Sequence, residues 1–142
     1  MNLLFFCLFA FTNYYLLFVL PTKIPRKQQL IGVGIAFAAF IGLSELLSWL
    51  HIHPFVIGAP HQSFPANVLS SVKILVMLSL ANQLSYLMVE RIVSFHQENN
   101  AENLHRQPVR FAVEQKSTIQ KLFTGFCLFS SLVMFYGIWL HA

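Results

Sequence analysis

The fold of this chain is decided by one long apolar stretch, ANVLSSVKILVMLSLANQLSYLMV, at residues 66–89. Lys73 is the only charged side chain within it. A helix of this length is about 36 Å long, and the hydrocarbon core of a bilayer is about 30 Å thick. The stretch is therefore predicted to be a transmembrane helix.

Three further apolar runs have similar lengths, at residues 2–20, 30–50 and 122–140. Charged residues make up 10% of the chain, whereas an ordinary globular domain contains about 25%. Because the runs use more than half of the chain, no separate soluble domain is expected. We predict an all-α fold in which residues 1–142 form a single membrane domain, an integral membrane four-helix transmembrane bundle.

The basic residues indicate how the spans are oriented. Apart from Lys73, they lie between spans one and two and between spans three and four, whereas residues 51–65 contain no Lys, Arg, Asp or Glu. The positive-inside rule places both basic loops in the cytoplasm and both termini outside. We expect a multi-pass protein of the bacterial inner membrane. Nucleic-acid binding is not expected, because no basic patch with interleaved aromatic residues is present.

Spans three and four are predicted to extend beyond the membrane. The helical pattern continues after Val89 through Phe95, its first clear stop is near Pro108, and a second pattern begins at Val109. We predict a cytoplasmic helical hairpin at residues 90–120, projecting roughly 18 Å. It is interpreted either as a solvated connector or as a docking surface for a soluble partner. The basic residues assigned to that surface are Arg91, Arg106, Arg110 and Lys116.

Glu45 and Lys73 are the only charged residues inside the predicted spans. A lone charge at span depth costs at least ~2.5 kcal/mol on insertion scales. Helix rise places both about 10 Å below the outer surface, on adjacent antiparallel spans. We therefore predict an intramembrane ion pair. One interpretation is structural: the pair fixes helix packing or oligomer register. Another is functional: the pair forms a proton- or ion-responsive element or part of a polar path. A third is that Lys73 extends to the surface by snorkelling.

Small and polar residues predict close contacts between helices. Small residues let helix backbones approach, and hydrogen-bonding side chains join helices within a membrane. Glu45 continues the small-residue face of span two. The predicted helix-contact residues are Gly34, Ala38 and Gly42 on span two and Thr124, Cys127 and Ser131 on span four, and the polar residues of span three are Ser70, Ser79 and Asn82.

Four histidines map to the predicted outer face: His51, His53, His61 and His141. Imidazole suits Zn, Cu or Ni, so a metal site is one interpretation. The outer loops offer no carboxylate to tune such ligands, and histidines placed at the interface are the alternative. We expect no cofactor.

The string VERIVSFHQENNAENL, at residues 89–104, resembles one used by the MAPEG family of membrane glutathione-utilising enzymes. The matching residues are Glu90, Arg91, His96, Glu102, Asn103 and Leu104. In that family the string follows the first of four spans, whereas here three spans precede it. We therefore do not assign the chain to the family. The resemblance would imply glutathione contacts by Arg91, His96 and Asn103.

The chain contains no Walker loop, GxGxxG, nucleophile elbow or HExxH motif, and no aspartate. We therefore predict a non-enzymatic subunit, sensor or anchor. Its expected partners are the lipid bilayer, further copies or subunits of a larger membrane complex, and a soluble cytoplasmic protein. The first alternative is a small oligomeric channel or proton-coupled carrier that uses Glu45 and Lys73. The second is a membrane enzyme of the MAPEG-like glutathione type.

Overall fold

A computed structural model shows a helical protein. The residues it describes are 1–49, 64–99, 102, 106–107 and 109–141. Four of its helices are long and apolar enough to cross a membrane, as the sequence predicts. The helical elements are α1 (Asn2–Tyr14), a π-helical turn (Tyr15–Val19), α2 (Leu20–Lys23), α3 (Arg26–Trp49), α4 (Phe64–Asn99), α5 (Val109–Glu114) and α6 (Lys116–Trp139).

The first span combines α1, the π-helical turn and α2 into one rod of 22 residues, Asn2–Lys23. Pro21 explains why the helix changes type before it. Proline has no amide hydrogen and its ring clashes with the carbonyl four residues earlier, that of Leu17, so a regular α-helix is interrupted there. The span ends at Ile24, whose extended backbone (φ −125°, ψ 136°) is the conformation favoured before a proline.

Pro25 begins the second span. Its carbonyl accepts hydrogen bonds from the backbone N–H groups of Gln28 and Gln29, at 2.9 and 3.2 Å. Proline suits the first turn of a helix because the N–H that it lacks would have no partner there. The short extended corner before Pro25 thus turns the chain directly from α2 into α3.

Helix α4 is longer than a bilayer requires. Its 36 residues correspond to about 54 Å, against about 30 Å of hydrocarbon. It runs without interruption beyond residue 89, the end of the predicted third span, to Asn99. The return path is not one helix, because a break at Gln115 (φ −101°, ψ 15°) separates α5 from α6. Helix α5 contacts both α4 and α6.

Helices α4 and α6 form the central pair of the bundle, with α1 packed on α6 and α3 packed on α4. An aromatic cluster joins three of these helices. Trp139 of α6 stacks on Phe5 and Phe9 of α1, with ring centroids 5.1 and 5.9 Å away. Phe64 of α4 meets Trp139 edge to face at 5.9 Å. Leu75 and Phe135 complete the core around it.

The bundle is polar inside and apolar outside. Among the residues described, ten buried side chains are polar and seven are apolar. Large apolar side chains cover the outer surface, such as Ile35 at 65% and Phe126 at 65% exposure. A water-soluble protein shows the opposite arrangement. Lipid as the surrounding solvent explains it, because hydrogen-bonding groups are then satisfied only within the protein.

Candidate functional site

The contact between α4 and α6 is held by a buried hydrogen-bond network. The Thr124 hydroxyl lies 2.9 Å from the Asn82 side-chain oxygen, to which it donates. The same hydroxyl lies 2.9 Å from the Gln120 carbonyl and 3.4 Å from the Tyr86 hydroxyl. Thr124 and Asn82 are 2% and 1% exposed. These polar groups therefore satisfy each other without access to solvent.

A second buried bond joins α1 to α6. The Asn13 amide donates to the Ser131 hydroxyl at 2.6 Å, and Ser131 in turn donates to the Leu128 carbonyl at 2.6 Å. Asn13 and Ser131 are both fully buried. The Asn13 side-chain oxygen has no hydrogen-bond partner among the described residues. This bond fixes the rotation of α1 against α6.

A third set of bonds lies beside the aromatic cluster. The Trp139 indole N–H donates to the Ser71 hydroxyl at 2.9 Å, and Ser71 donates to the Asn67 carbonyl at 2.9 Å. The Asn67 amide reaches back to the Ile138 carbonyl at 3.4 Å. One end of the α4–α6 pair is thus joined by both ring packing and hydrogen bonds.

Two glutamines hold α3 against α4. The Gln83 amide donates to the Gln29 side-chain oxygen at 2.7 Å, and the Gln29 amide donates to the Ile24 carbonyl at 2.6 Å. Nearby, the Arg26 guanidinium carbon lies 3.5 Å from the centre of the Tyr86 ring, a cation–π contact. The first turns of α3 are therefore fixed to both α4 and the corner before Pro25.

A cavity of about 20 Å³ lies where the π-helical turn faces α3 and α4. Its walls are mostly aliphatic, including Leu16, Leu17 and Val33, and its polar groups are those of Ser79, Gln29 and Gln83. Ser79 is 7% exposed, and its hydroxyl finds no partner within the described part of the chain. Space and an unsatisfied polar group thus coincide in this cavity.

The structure buries the polar and small residues that the sequence assigned to spans three and four. These are Ser70, Ser79, Asn82, Thr124, Cys127 and Ser131. Sequence reasoning did not select the remaining buried residues of the network, which lie on these two helices and on α1 and α3. These are Asn13, Gln29, Ser71, Gln83, Gln120 and Trp139. The sequence did contain a signal for the Asn and Gln residues among them. An amide side chain inside or beside an apolar run is rare in a membrane span and indicates a helix contact.

The small-residue face of span two is open in this structure. Successive helix residues are about 100° apart, so Gly34, Ala38, Gly42 and Glu45 lie within an arc of about 80°. Gln29 and Val33 mark the side of α3 that faces α4, and the arc is centred roughly 160° from them. Ala38, Gly42 and Glu45 are exposed and Gly34 is partly exposed. A Cβ atom added at either glycine would meet no atom within 4 Å.

The predicted ion pair between Glu45 and Lys73 is not among the ion pairs that the structure shows. Glu45 is exposed on α3, and Lys73 is partly buried on α4. Glu45 belongs to the open face of α3, away from the side on which Gln29 contacts α4. Their pairing stays a prediction.

The basic residues of the predicted hairpin lie mostly at its surface. Arg91, Arg106 and Arg110 are exposed, and Lys116 is partly buried. Glu114 accepts a hydrogen bond from Arg110 at 2.7 Å and raises the pKa of that guanidinium.

Lys116 approaches Glu90 to 3.9 Å, which connects α6 to α4. Among the described residues of the same region, three large apolar side chains are exposed. They are Ile92, Phe95 and Phe111.

The predicted metal ligands His51, His53 and His61 lie outside the described residues. His141 is exposed and stacks on the Tyr136 ring, with centroids 6.1 Å apart. Within the described ranges, no group of three or more side chains suited to a metal ion occurs. Asn103, of the glutathione-enzyme resemblance, also lies outside them.

No protein family, curated protein or solved structure matches this chain.

Proposed function

We propose that this protein is a subunit of a membrane assembly and that it binds another transmembrane helix through the open face of α3. The observation that carries the proposal is the exposure of Glu45 on the same face as Gly34, Ala38 and Gly42. The proposed partner is a further copy of the chain or a different membrane subunit.

The polarity of this face supports a protein neighbour over a lipid neighbour. Glu45 lies four residues before Trp49, or about 6 Å along the helix axis. Trp49 is 78% exposed, as expected of an interfacial tryptophan. A carboxylate at that depth is unfavourable against acyl chains. A helix packed on the small residues would shield Glu45 and supply a hydrogen-bond donor.

The weak attachment of α3 to its own chain supports the same proposal. Only 6% of the apolar stretch of α3 is buried, against 28% for α6. Its described hydrogen bonds to other elements are concentrated at the Gln29 end. A second helix on the opposite side would enclose α3, as the rest of the chain already encloses α6.

The predicted cytoplasmic hairpin offers a second contact for the assembly. Exposed Arg91 and Arg110 lie in the same region as exposed Phe95 and Phe111. This combination of apolar and basic side chains suits a soluble protein partner with an acidic surface. In this proposal α3 recruits the membrane partner and the hairpin recruits the soluble one.

The test is site-specific photo-crosslinking of the full chain in its native membrane. A photoreactive amino acid replaces either Ala38, on the open face, or Ala39, which is also exposed but lies about 100° further round the helix. We expect a defined adduct from position 38 and little from position 39. The adduct mass separates a second copy from another subunit. Equal yields at both positions would contradict the proposal.

An oligomeric pore or carrier is the second candidate, and the outward direction of Glu45 favours one form of it. Because Glu45 faces away from the chain's own helices, a polar path that includes it would run between chains. The expected observation is flux into proteoliposomes that is lost in Glu45→Gln. Unchanged flux in that variant would exclude a path lined by Glu45.

A further inference from the structure

We propose that the cavity beside the π-helical turn is a binding site for one water molecule, held by Ser79 and by the glutamine pair Gln29 and Gln83. The inference rests on the chain's own interior and is independent of the proposed function. A buried water requires enough space and between two and four polar partners. The cavity meets both requirements.

The space is that of one small molecule. A cavity holds one water when the centre of a water-sized sphere can move within a volume of about 10–15 Å³. The corresponding volume of this cavity is about 20 Å³. The enlargement follows from Pro21. The π-helical turn before it places Leu16 and Leu17 on a wider helical turn than an α-helix would, and both side chains line the cavity.

The polar groups of α4 lie on one side of the helix. Ser79 and Gln83 are four residues apart, which places their side chains next to each other on the helix surface, and both line the cavity. The Ser79 hydroxyl is buried without a partner among the described residues. Gln83 uses its amide nitrogen for Gln29, which leaves its side-chain oxygen to accept from water.

The chemistry of the walls favours water over an ion. The three polar side chains are neutral, and the remaining lining residues are aliphatic. A metal cation would require several oxygen ligands, commonly including carboxylates. A neutral molecule that both donates and accepts hydrogen bonds satisfies a hydroxyl and an amide oxygen together. Water is the molecule of this class that fits the volume.

The site would give the π-helical turn a structural role. A water bound to Ser79 and Gln83 lies between the first span and the Gln29–Gln83 contact. It would fill the space that the irregular turn opens and satisfy the serine. The first span, α3 and α4 would then meet at a hydrated point of the bundle.

The experiment is nuclear magnetic resonance of the full chain in deuterated lipid bilayers, measuring magnetisation transfer from water to side-chain N–H groups. We expect clear transfer to the Gln29 and Gln83 amides. The Trp139 indole serves as the dry reference, because it is 1% exposed and already bonded to Ser71. Equal, near-zero transfer at the glutamines and at this indole would overturn the proposal.

A pair of variants tests the assignment of the site. Ser79→Val fills the cavity and removes the hydroxyl, so transfer to the two glutamine amides should fall to the level of the indole. Ser85→Val is the matched control, since Ser85 lies on the same helix and donates to the Asn82 carbonyl without lining the cavity. Transfer that survives in Ser79→Val would overturn the proposal. If that variant fails to fold, the wild-type comparison with Trp139 still decides.

Discussion

Replacing Thr124 by valine should loosen the central α4–α6 pair by about 1 kcal/mol. Interhelical hydrogen bonds in membrane proteins contribute about 0.6 kcal/mol on average and up to about 1.7 kcal/mol. The bond from Thr124 to Asn82 is short at 2.9 Å, and both side chains are at most 2% exposed. Loss of the bond leaves the buried Asn82 oxygen without this donor. The expected loss of stability is therefore larger than the average for an interhelical bond.

Thr12→Val provides the matched control. Thr12 is exposed, and its hydroxyl donates only to the Leu8 carbonyl of its own helix, at 2.8 Å. Thr124 shares its single hydroxyl proton between the Gln120 carbonyl of its own helix and the Asn82 oxygen, each at 2.9 Å. Both substitutions therefore remove a hydroxyl and a bond within one helix, whereas only Thr124→Val removes a bond between helices. The difference between the two variants isolates that interhelical bond.

The assay is reversible unfolding in mixed micelles, followed by circular dichroism, for each single variant and for the double variant with Asn82→Leu. We expect a coupling energy of about 1 kcal/mol between positions 82 and 124. A coupling below about 0.3 kcal/mol would refute the reasoning. So would an equal loss of stability in Thr12→Val and Thr124→Val.

Three further changes test other parts of the structure. Gly42→Ile should abolish assembly while leaving the chain folded, because a Cβ there meets no atom within 4 Å; native mass spectrometry measures the assembly. Pro21→Ala should restore an N–H that bonds to the Leu17 carbonyl, so that hydrogen exchange at position 21 is slow and the π-helical turn becomes α-helical. Trp139→Phe should keep most of the ring packing and lose the bond to Ser71, lowering the free energy of unfolding by about 0.6 kcal/mol.

Gly42→Ile and Trp139→Phe each have a control variant, and Pro21→Ala has an outcome that would contradict it. Ala39→Ile places the same bulk on a different face of α3, and assembly lost equally in it and in Gly42→Ile would contradict the open-face proposal. Unchanged hydrogen-exchange and chemical-shift patterns in Pro21→Ala would show that the proline does not cause the turn. Trp49→Phe, at a tryptophan that is 78% exposed, should leave stability unchanged. If Trp49→Phe lowered the free energy of unfolding as much as Trp139→Phe does, the bond to Ser71 would not explain the effect at Trp139.

The four membrane-spanning helices could be predicted from the sequence, because they depend on local composition. A run of apolar residues about 20 long is sufficient to predict a membrane helix. The continuation of the third span beyond Val89 was also visible, since no helix-breaking residue follows until Pro108. The π-helical turn before Pro21 was not predicted, because the proline marks an interruption without specifying its form.

The mutual rotation of the helices could not be predicted from the sequence. Glu45 and Lys73 were paired by depth, but depth leaves open which side of α3 faces α4. The Gln29–Gln83 bond joins residues 54 positions apart, and the Asn13–Ser131 bond joins residues 118 apart. Such pairs depend on three-dimensional packing that no local pattern encodes, although each amide within an apolar run was an indication that a partner exists.

The buried polar side chains described above are amides and hydroxyls. Apart from the Cys127 thiol, no buried residue in the described ranges carries an ionisable group. Between about pH 5 and pH 7 the amides and hydroxyls do not titrate, and a thiol, whose ordinary pKa is about 8.5, stays protonated as well. Folding therefore changes no protonation state in the interior, and linkage predicts a stability of the buried contacts that is flat across that interval. The helix contacts would then hold equally well at both faces of a membrane that maintains a proton gradient.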